Sequence, residues 1–151
     1  MLVSKKCEYA VRAVFELAKR YGPEPVKIGE IAEAQAIPVR FLEAILNQVK
    51  QAGYLESRRG PDGGYLLAMP PNELTLAGIL RSIEGPPVAV TCVGGGDGAA
   101  CSFQGACVFQ SVWDRAQQAI THVYDSTTFQ NLLDEEAQMQ ADGSFVPTYV
   151  I

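Results

Sequence analysis

Apolar residues at Ala10, Ala13, Val14, Leu17 and Tyr21 recur at spacings of three and four between Lys, Arg and Glu. That periodicity predicts an amphipathic helix over 4–21, stopped by Gly22-Pro23-Glu24-Pro25. A second, short amphipathic helix is predicted over 27–34. After a break around Ala36-Ile37-Pro38, a longer helix runs to about Ala52 with Leu42, Ile45, Leu46 and Val49 on its apolar face. Two helices joined by a break of about four residues, the second with a polar outer face, form the pattern of a helix-turn-helix. Alone the pattern is weak, because many helical proteins share it.

The next segment narrows the choice. Gly53-Tyr54-Leu55-Glu56-Ser57-Arg58-Arg59 and Tyr65-Leu66-Leu67-Ala68 read as two short strands around the turn Gly60-Pro61-Asp62-Gly63-Gly64. As a wing, this hairpin would carry paired arginines at a tip whose glycines let the backbone approach a groove. As an ordinary surface hairpin it would carry no function. Leu74 to Ile83 predicts another short helix, with Thr75 near its start. From Glu84 to Ala106 regular signal is lost among Gly85-Pro86-Pro87, Gly94-Gly95-Gly96 and Gly98, and a loop this long in a small domain is commonly functional or disordered. Beyond Val108, the residues Phe109, Val112, Trp113, Ala116, Ala119, Ile120 and Val123 form a helical apolar stripe. The stripe suits a partner helix from another subunit, or else the chain's own core. Ser126 is the expected cap of a last helix containing Phe129, Leu132 and Leu133.

The expected architecture is therefore mainly α with a small β wing, a winged helix-turn-helix with a long dimerisation helix. Its parts are a DNA-binding domain over 1–83, a cysteine-bearing loop over 84–107, dimerisation and terminal helices over 108–138, and a tail over 139–151. The 151 residues are 48% hydrophobic, enough for one compact domain with an oligomerisation element. No apolar run approaches a membrane span and none at the N-terminus resembles a secretory signal, so a cytoplasmic location is expected. The net charge of −5 disfavours DNA as a whole-chain figure, but it divides unevenly along the chain. Residues 1–70 hold 10 Lys/Arg against 8 Asp/Glu, and the remainder holds 2 against 9. Phosphate contact needs positive charge only on the contacting face, and the acidic half is expected to face away.

Three of the four cysteines lie in the glycine-rich loop as Cys92-x8-Cys101-x5-Cys107, and Cys7 opens the first helix. Reduced cytosolic thiols argue against a disulfide framework. The intervals are wider than the two to four residues usual between paired zinc ligands. A larger object such as an iron-sulfur cluster, whose thiolates reach separate irons, fits them better. Spacing alone leaves zinc and free or redox-reactive thiols open.

Lys6-Cys7-Glu8-Tyr9-Ala10-Val11-Arg12, Ile37-Pro38-Val39-Arg40-Phe41-Leu42-Glu43 and Arg59-Gly60-Pro61-Asp62-Gly63-Gly64-Tyr65, with three loop cysteines before a helix containing Trp113, together resemble the Rrf-two family of transcriptional regulators. The likeness is to its IscR-like and NsrR-like iron-sulfur branches and runs over about residues 1–135. It implies a winged-helix homodimer in which the helix after the cysteine loop crosses its partner. It also implies double-stranded, roughly palindromic DNA as the ligand, and a cluster of the 2Fe-2S or 4Fe-4S type on Cys92, Cys101 and Cys107. Arg40, Phe41 and Glu43 match the family's recognition helix, and Arg58, Arg59, Gly60 and Gly63 its wing. None of these has a catalytic role.

The fourth ligand is a point of departure. The IscR-like branch has a histidine three residues after the last cysteine, where this chain has Gln110, a poor iron ligand. The NsrR-like branch uses a carboxylate near the start of the first helix, supplied by the other subunit, and Glu8 stands in the matching place. Cys7 beside it is the other candidate. Successive helical residues diverge by about 100°, so the two are not expected to bind together. His122 lies about 22 Å along a helix from Cys107 and is expected at the surface or an interface. Pro38 also departs from the family, which often has a polar residue there. Proline suits a first helical turn, so the fold is preserved while base preference is open.

The resulting expectation is a regulator whose operator affinity follows cluster state, with redox change, nitric oxide or iron status as the input. A winged-helix regulator that senses through thiols, zinc or a small molecule is the first alternative. A small redox protein is the second, and it lacks support because the chain has no nucleotide-binding glycine motif and no nucleophile paired with a base.

Overall fold

A computed structural model describes residues 3–90, 92, 102–103 and 105–143 of the chain. Among them are six helices and one two-stranded sheet. Helix α1 (Lys5–Lys19) starts at Ser4, whose hydroxyl accepts from the Cys7 amide at 3.2 Å, satisfying one of the donors a helix start leaves free. It is shorter than the periodicity implied. Tyr21, assigned to the apolar stripe, lies beyond the helix end and is exposed, because Gly22-Pro23 forbids the further turn that would bring it inward. Ala10, Ala13, Val14 and Leu17 are buried as expected.

Helices α2 (Ile28–Gln35) and α3 (Val39–Gln51) form the helix-turn-helix pair. The turn is made by Ala36, a non-glycine residue in the left-handed region at φ 50°. That conformation costs about 1 kcal/mol. It is offset locally, since it lets the Ile37 amide reach the Ala32 carbonyl at 2.9 Å and buries the Ile37 side chain. Pro38 is the N-cap of α3 and its carbonyl accepts from Phe41 at 3.0 Å. The departure at this position therefore leaves the helix start intact.

Strands β1 (Leu55–Arg58) and β2 (Gly64–Leu67) pair antiparallel with Leu55 opposite Leu67 and Arg58 opposite Gly64. The wing is also tied to the segment before α2. Val26 and Tyr65 exchange two backbone hydrogen bonds of 2.9 Å each, a bridge that strand patterning of the hairpin does not reveal. Helix α4 (Leu76–Glu84) is capped by Thr75, which accepts from the Gly78 amide at 3.2 Å.

After the cysteine segment come α5 (Gln110–Ser126) and α6 (Phe129–Ala141). The expected cap at Ser126 is corrected. Ser126 is the last residue of α5 and its hydroxyl donates back to the His122 carbonyl at 2.7 Å. Thr128 caps α6 instead, accepting from the Asn131 amide at 3.1 Å. Helix α6 continues to Ala141, beyond the start expected for the tail, and residues 144–151 of that tail lie outside the described residues.

The core is organised around α1, which touches α2, α3, α4, α6 and β2. Glu16 is buried on α1, where its carboxylate accepts from Arg20 at 2.8 Å and from Gln35 at 2.9 Å. A buried carboxylate needs such partners, and here they fasten α2 to α1. Phe129 closes the other side. It is fully buried, and its amide donates to the Leu74 carbonyl at 2.9 Å while the Thr127 carbonyl accepts from Leu76 at 2.9 Å. Phe129→Ala is expected to cost about 3–5 kcal/mol of stability, read as a fall in urea midpoint with little change in slope. A change below about 1 kcal/mol would show that α6 does not anchor the domain.

A candidate nucleic-acid interface and cysteine segment

Burying Leu42, Ile45, Leu46 and Val49 turns the opposite face of α3 to solvent. Arg40, Phe41 and Glu43 are all exposed there. The Arg40 guanidinium stands 4.6 Å above the Phe41 ring, a stacked arrangement that holds both side chains outward. Val39, Ala44 and Asn47 share the face. Sequence reasoning passed over them, although Asn47 lies seven residues from Arg40 and helical spacing alone would have found it. The Tyr65 phenol is pushed above its ordinary pKa, mainly by burial and secondarily by the Glu43 carboxylate.

The wing brings the two arginines to different situations. Arg58 donates to the Pro23 carbonyl at 2.9 Å and so braces the hairpin against the loop before α2. Arg59 is exposed at the turn and forms no ion pair among the described residues. The two glycines also differ. Gly60 adopts φ +107° with open space around it, whereas a Cβ at Gly63 would meet the Arg58 carbonyl oxygen at 2.3 Å. Gly63 is thus required by the closeness of the turn to itself.

Of the three loop cysteines, Cys92 is exposed and Cys107 half-buried, three residues before α5, and Cys101 lies outside the described residues. Among the described residues no three His, Cys, Asp or Glu side chains converge as for a single metal ion. Free thiols are the donor chemistry of a cluster, and in this respect Cys92 and Cys107 fit one. Gln110 opens α5 and His122 is exposed on it.

The two fourth-ligand candidates separate clearly. Cys7 is 3% exposed, packed in the protomer's own core. Burial pushes its thiol above the ordinary value, and Glu84 adds to the effect against the opposing hydrogen bond of Ser4. Glu8 is turned to solvent, bonded to Lys5 at 2.7 Å and 3.8 Å from Arg12. The Lys5 hydrogen bond and the positive charges of Lys5 and Arg12 hold its carboxyl below the usual range. It is the ionised, accessible one of the pair.

Helix α5 presents the third notable surface. It is amphipathic over 17 residues but buries none of them, and Phe109, Val112 and Val123 are at least half exposed. It leans on α4, where Arg81 pairs with Asp125 at 2.8 Å.

A helix pair with an exposed second helix, followed by an arginine-tipped hairpin, defines the winged helix-turn-helix class of DNA-binding regulator. Comparison with known proteins narrows the class. Residues 3–135 match the Rrf2 (Rrf-two) family model, described as an iron-dependent transcriptional regulator, and the chain belongs to that family. Its relatives are regulators of transcription and not enzymes. A Mycobacterium tuberculosis protein bearing the name of an HTH-type transcriptional regulator is 37% identical over 129 residues, covering 85% of this chain and 78% of that protein. The transcriptional regulator CymR of Bacillus subtilis is 31% identical, with 87% and 89% covered. Among solved structures, T. potens IscR superposes with a TM-score of 0.76 at 31% identity, covering 99% and 95% of the two chains. CymR of B. subtilis, titled the global cysteine regulator, gives 0.72 at 31% identity with 89% and 98% covered. No helix among the described residues is long and apolar enough to cross a membrane.

The contrast between the thiols is directly measurable. In metal-free protein at pH 8, iodoacetamide is expected to label Cys92 readily while Cys7 stays unlabelled until denaturant is added, as read by peptide mass spectrometry. Equal labelling of the two in the native protein would contradict the burial of Cys7.

Proposed function

We propose that this chain is a homodimeric, sequence-specific DNA-binding regulator whose operator affinity is controlled by an iron-sulfur cluster held by Cys92, Cys101 and Cys107, with Glu8 of the other subunit as the fourth ligand. The carrying observation is the placement of Cys107 three residues before α5, a 17-residue amphipathic helix of which no residue is fully buried in its own protomer. Such a helix needs a partner, and one supplied by a second copy would bring both α1 and the cysteine segment near the same interface. Glu8 is preferred to Cys7 because it is accessible and ionised, whereas using Cys7 would require opening the core. The cluster would supply a centre whose state depends on redox conditions, nitric oxide or iron. The chain's own part is to hold it between the dimer helix and α1.

On the DNA side, Arg40, Phe41 and Glu43 read the major groove and Arg59 with Gly60 meets the backbone or minor groove, while Arg58 and Gly63 support the wing. Dimer symmetry then sets two half-sites about one helical turn apart or a multiple of it. The exposed Cys92 thiol favours one alternative, a regulator that senses by thiol chemistry without a cluster.

The deciding experiment is anaerobic purification with a visible spectrum and iron, sulfide and zinc analysis of wild type, Cys92→Ala, Cys7→Ala and Glu8→Ala. A brown dimer with matched iron and sulfide, bleached in Cys92→Ala, weakened in Glu8→Ala and retained in Cys7→Ala, is expected. A colourless protein with titratable thiols would replace this reading by the thiol-sensing one. Separately, Arg59→Ala is expected to weaken operator binding and to lower the salt slope by about 1, as for a single lost phosphate contact, without altering the visible spectrum. An unchanged affinity and slope would remove Arg59 from the interface.

A further inference from the structure

The recognition helix is joined to the root of the cysteine segment by one side chain. Gln48 stands on α3, away from the exposed face of Arg40 and Glu43. Its amide nitrogen donates to the carbonyls of Ser82 at 2.9 Å and Ile83 at 3.0 Å, in the last turn of α4. Its amide oxygen accepts from Lys6 of α1 at 2.7 Å. Glu84, the next residue, bonds the hydroxyl of Ser4, the cap of α1. On the far side of the same root, Gln117 of α5 donates to the Pro87 carbonyl and accepts from the Ala89 amide, both at 2.7 Å.

Two glutamines therefore bracket the stretch from 82 to 89, one from α5 and one from α3. Carbonyls in the last turn of a helix have no partner within it, so Gln48 has a physical reason to be there. Its bonds are also directional. A side chain holding two adjacent carbonyls registers rotation of that helix end in a way that apolar contact between α3 and α4 would not. Both its partners, α4 and α1, border regions assigned above to cluster binding: α4 runs directly into the cysteine segment, and Glu8 lies two residues from Lys6.

Resting on the reading under Proposed function, we propose that Gln48 is the positioning residue that transmits the arrangement of the cysteine-segment root to the recognition helix. Movement of residues 82–89, set by what the cysteines hold, shifts the Ser82 and Ile83 carbonyls and with them the orientation of α3. Gln48 touches neither DNA nor cluster in this scheme. Its role is to make operator affinity depend on the state of the segment.

The test compares operator affinity of cluster-loaded and cluster-free dimers for wild type, Gln48→Leu and Gln48→Glu. Gln48→Glu keeps an acceptor for Lys6 and loses both donations to α4, so it isolates the α4 half of the link. Coupling factors of this kind are commonly about 5- to 150-fold. Both variants are expected to bring the factor to within about twofold of unity, with the visible spectrum retained and the protein folded. A factor equal to that of wild type in both variants overturns the proposal.

A second readout requires no cluster. Gln117→Leu, which frees the α5 side of the root, is expected to accelerate amide exchange across Val39–Gln51 when Gln48 is present and to have no such effect in the Gln48→Leu background. Equal acceleration in both backgrounds overturns the link. A wild-type protein with one operator affinity in both states would instead remove the cluster-controlled reading, leaving the exchange result to decide the link by itself.

Discussion

The burial of one face of α1 is the constraint on which the rest depends. Five other elements rest against this helix, and small residues make that possible: Ala10, Ala13 and Ala18 admit close neighbours while Val14 and Leu17 fill the space between them. The same helix carries Cys7 inward and Glu8 outward, because neighbouring positions differ by about 100°. A core that needs α1 fixed on every inner side leaves it little freedom to adjust alone. Displacement at its N-terminus has to be shared with α3 and α4.

Polar groups set the directions in which that sharing occurs. Glu16 holds α2 through Gln35, Ser4 meets the end of α4 through Glu84, and Arg81 joins α4 to α5 through Asp125. Exposed pairs such as Arg81–Asp125 contribute little to stability. Their value here is geometric, since each specifies which neighbour moves with which. The apolar contacts supply the energy and the polar ones select the register.

Much of this was legible before the fold was known. Leu42, Ile45, Leu46 and Val49 defined the inner face of α3 by spacing, and the inference that Arg40, Phe41 and Glu43 point outward follows from the same geometry. The turn residues of 60–64 located the wing correctly because glycine and proline restrict the backbone independently of context. What was less visible depends on contacts between distant segments. The Val26–Tyr65 bridge and the Gln48 bonds to residues 82 and 83 join positions 34 or more residues apart, and nothing in local periodicity encodes them. Ser126 was misread as a cap because Ser-Thr-Thr offers three candidates in a row. The choice fell to Thr128, since only there does Phe129 reach the core. Between Cys7 and Glu8 the sequence favours Glu8 only through the resemblance, with Cys7 close behind; the burial of Cys7 is a difference that spacing does not show.

The crowding at the wing turn bears on how genetic data for this protein would be interpreted. A side chain at Gly63 would collide with the Arg58 carbonyl, and one at Gly64 would meet the Val26 carbonyl oxygen at 2.3 Å. Substitution at either position would distort the hairpin before any nucleic acid arrived. In a screen for lost repression or activation, both glycines would score alongside Arg59 and be mistaken for contact residues. Gly60 has open space around it, but its φ of +107° disfavours any side chain, so substitution there would strain the turn as well.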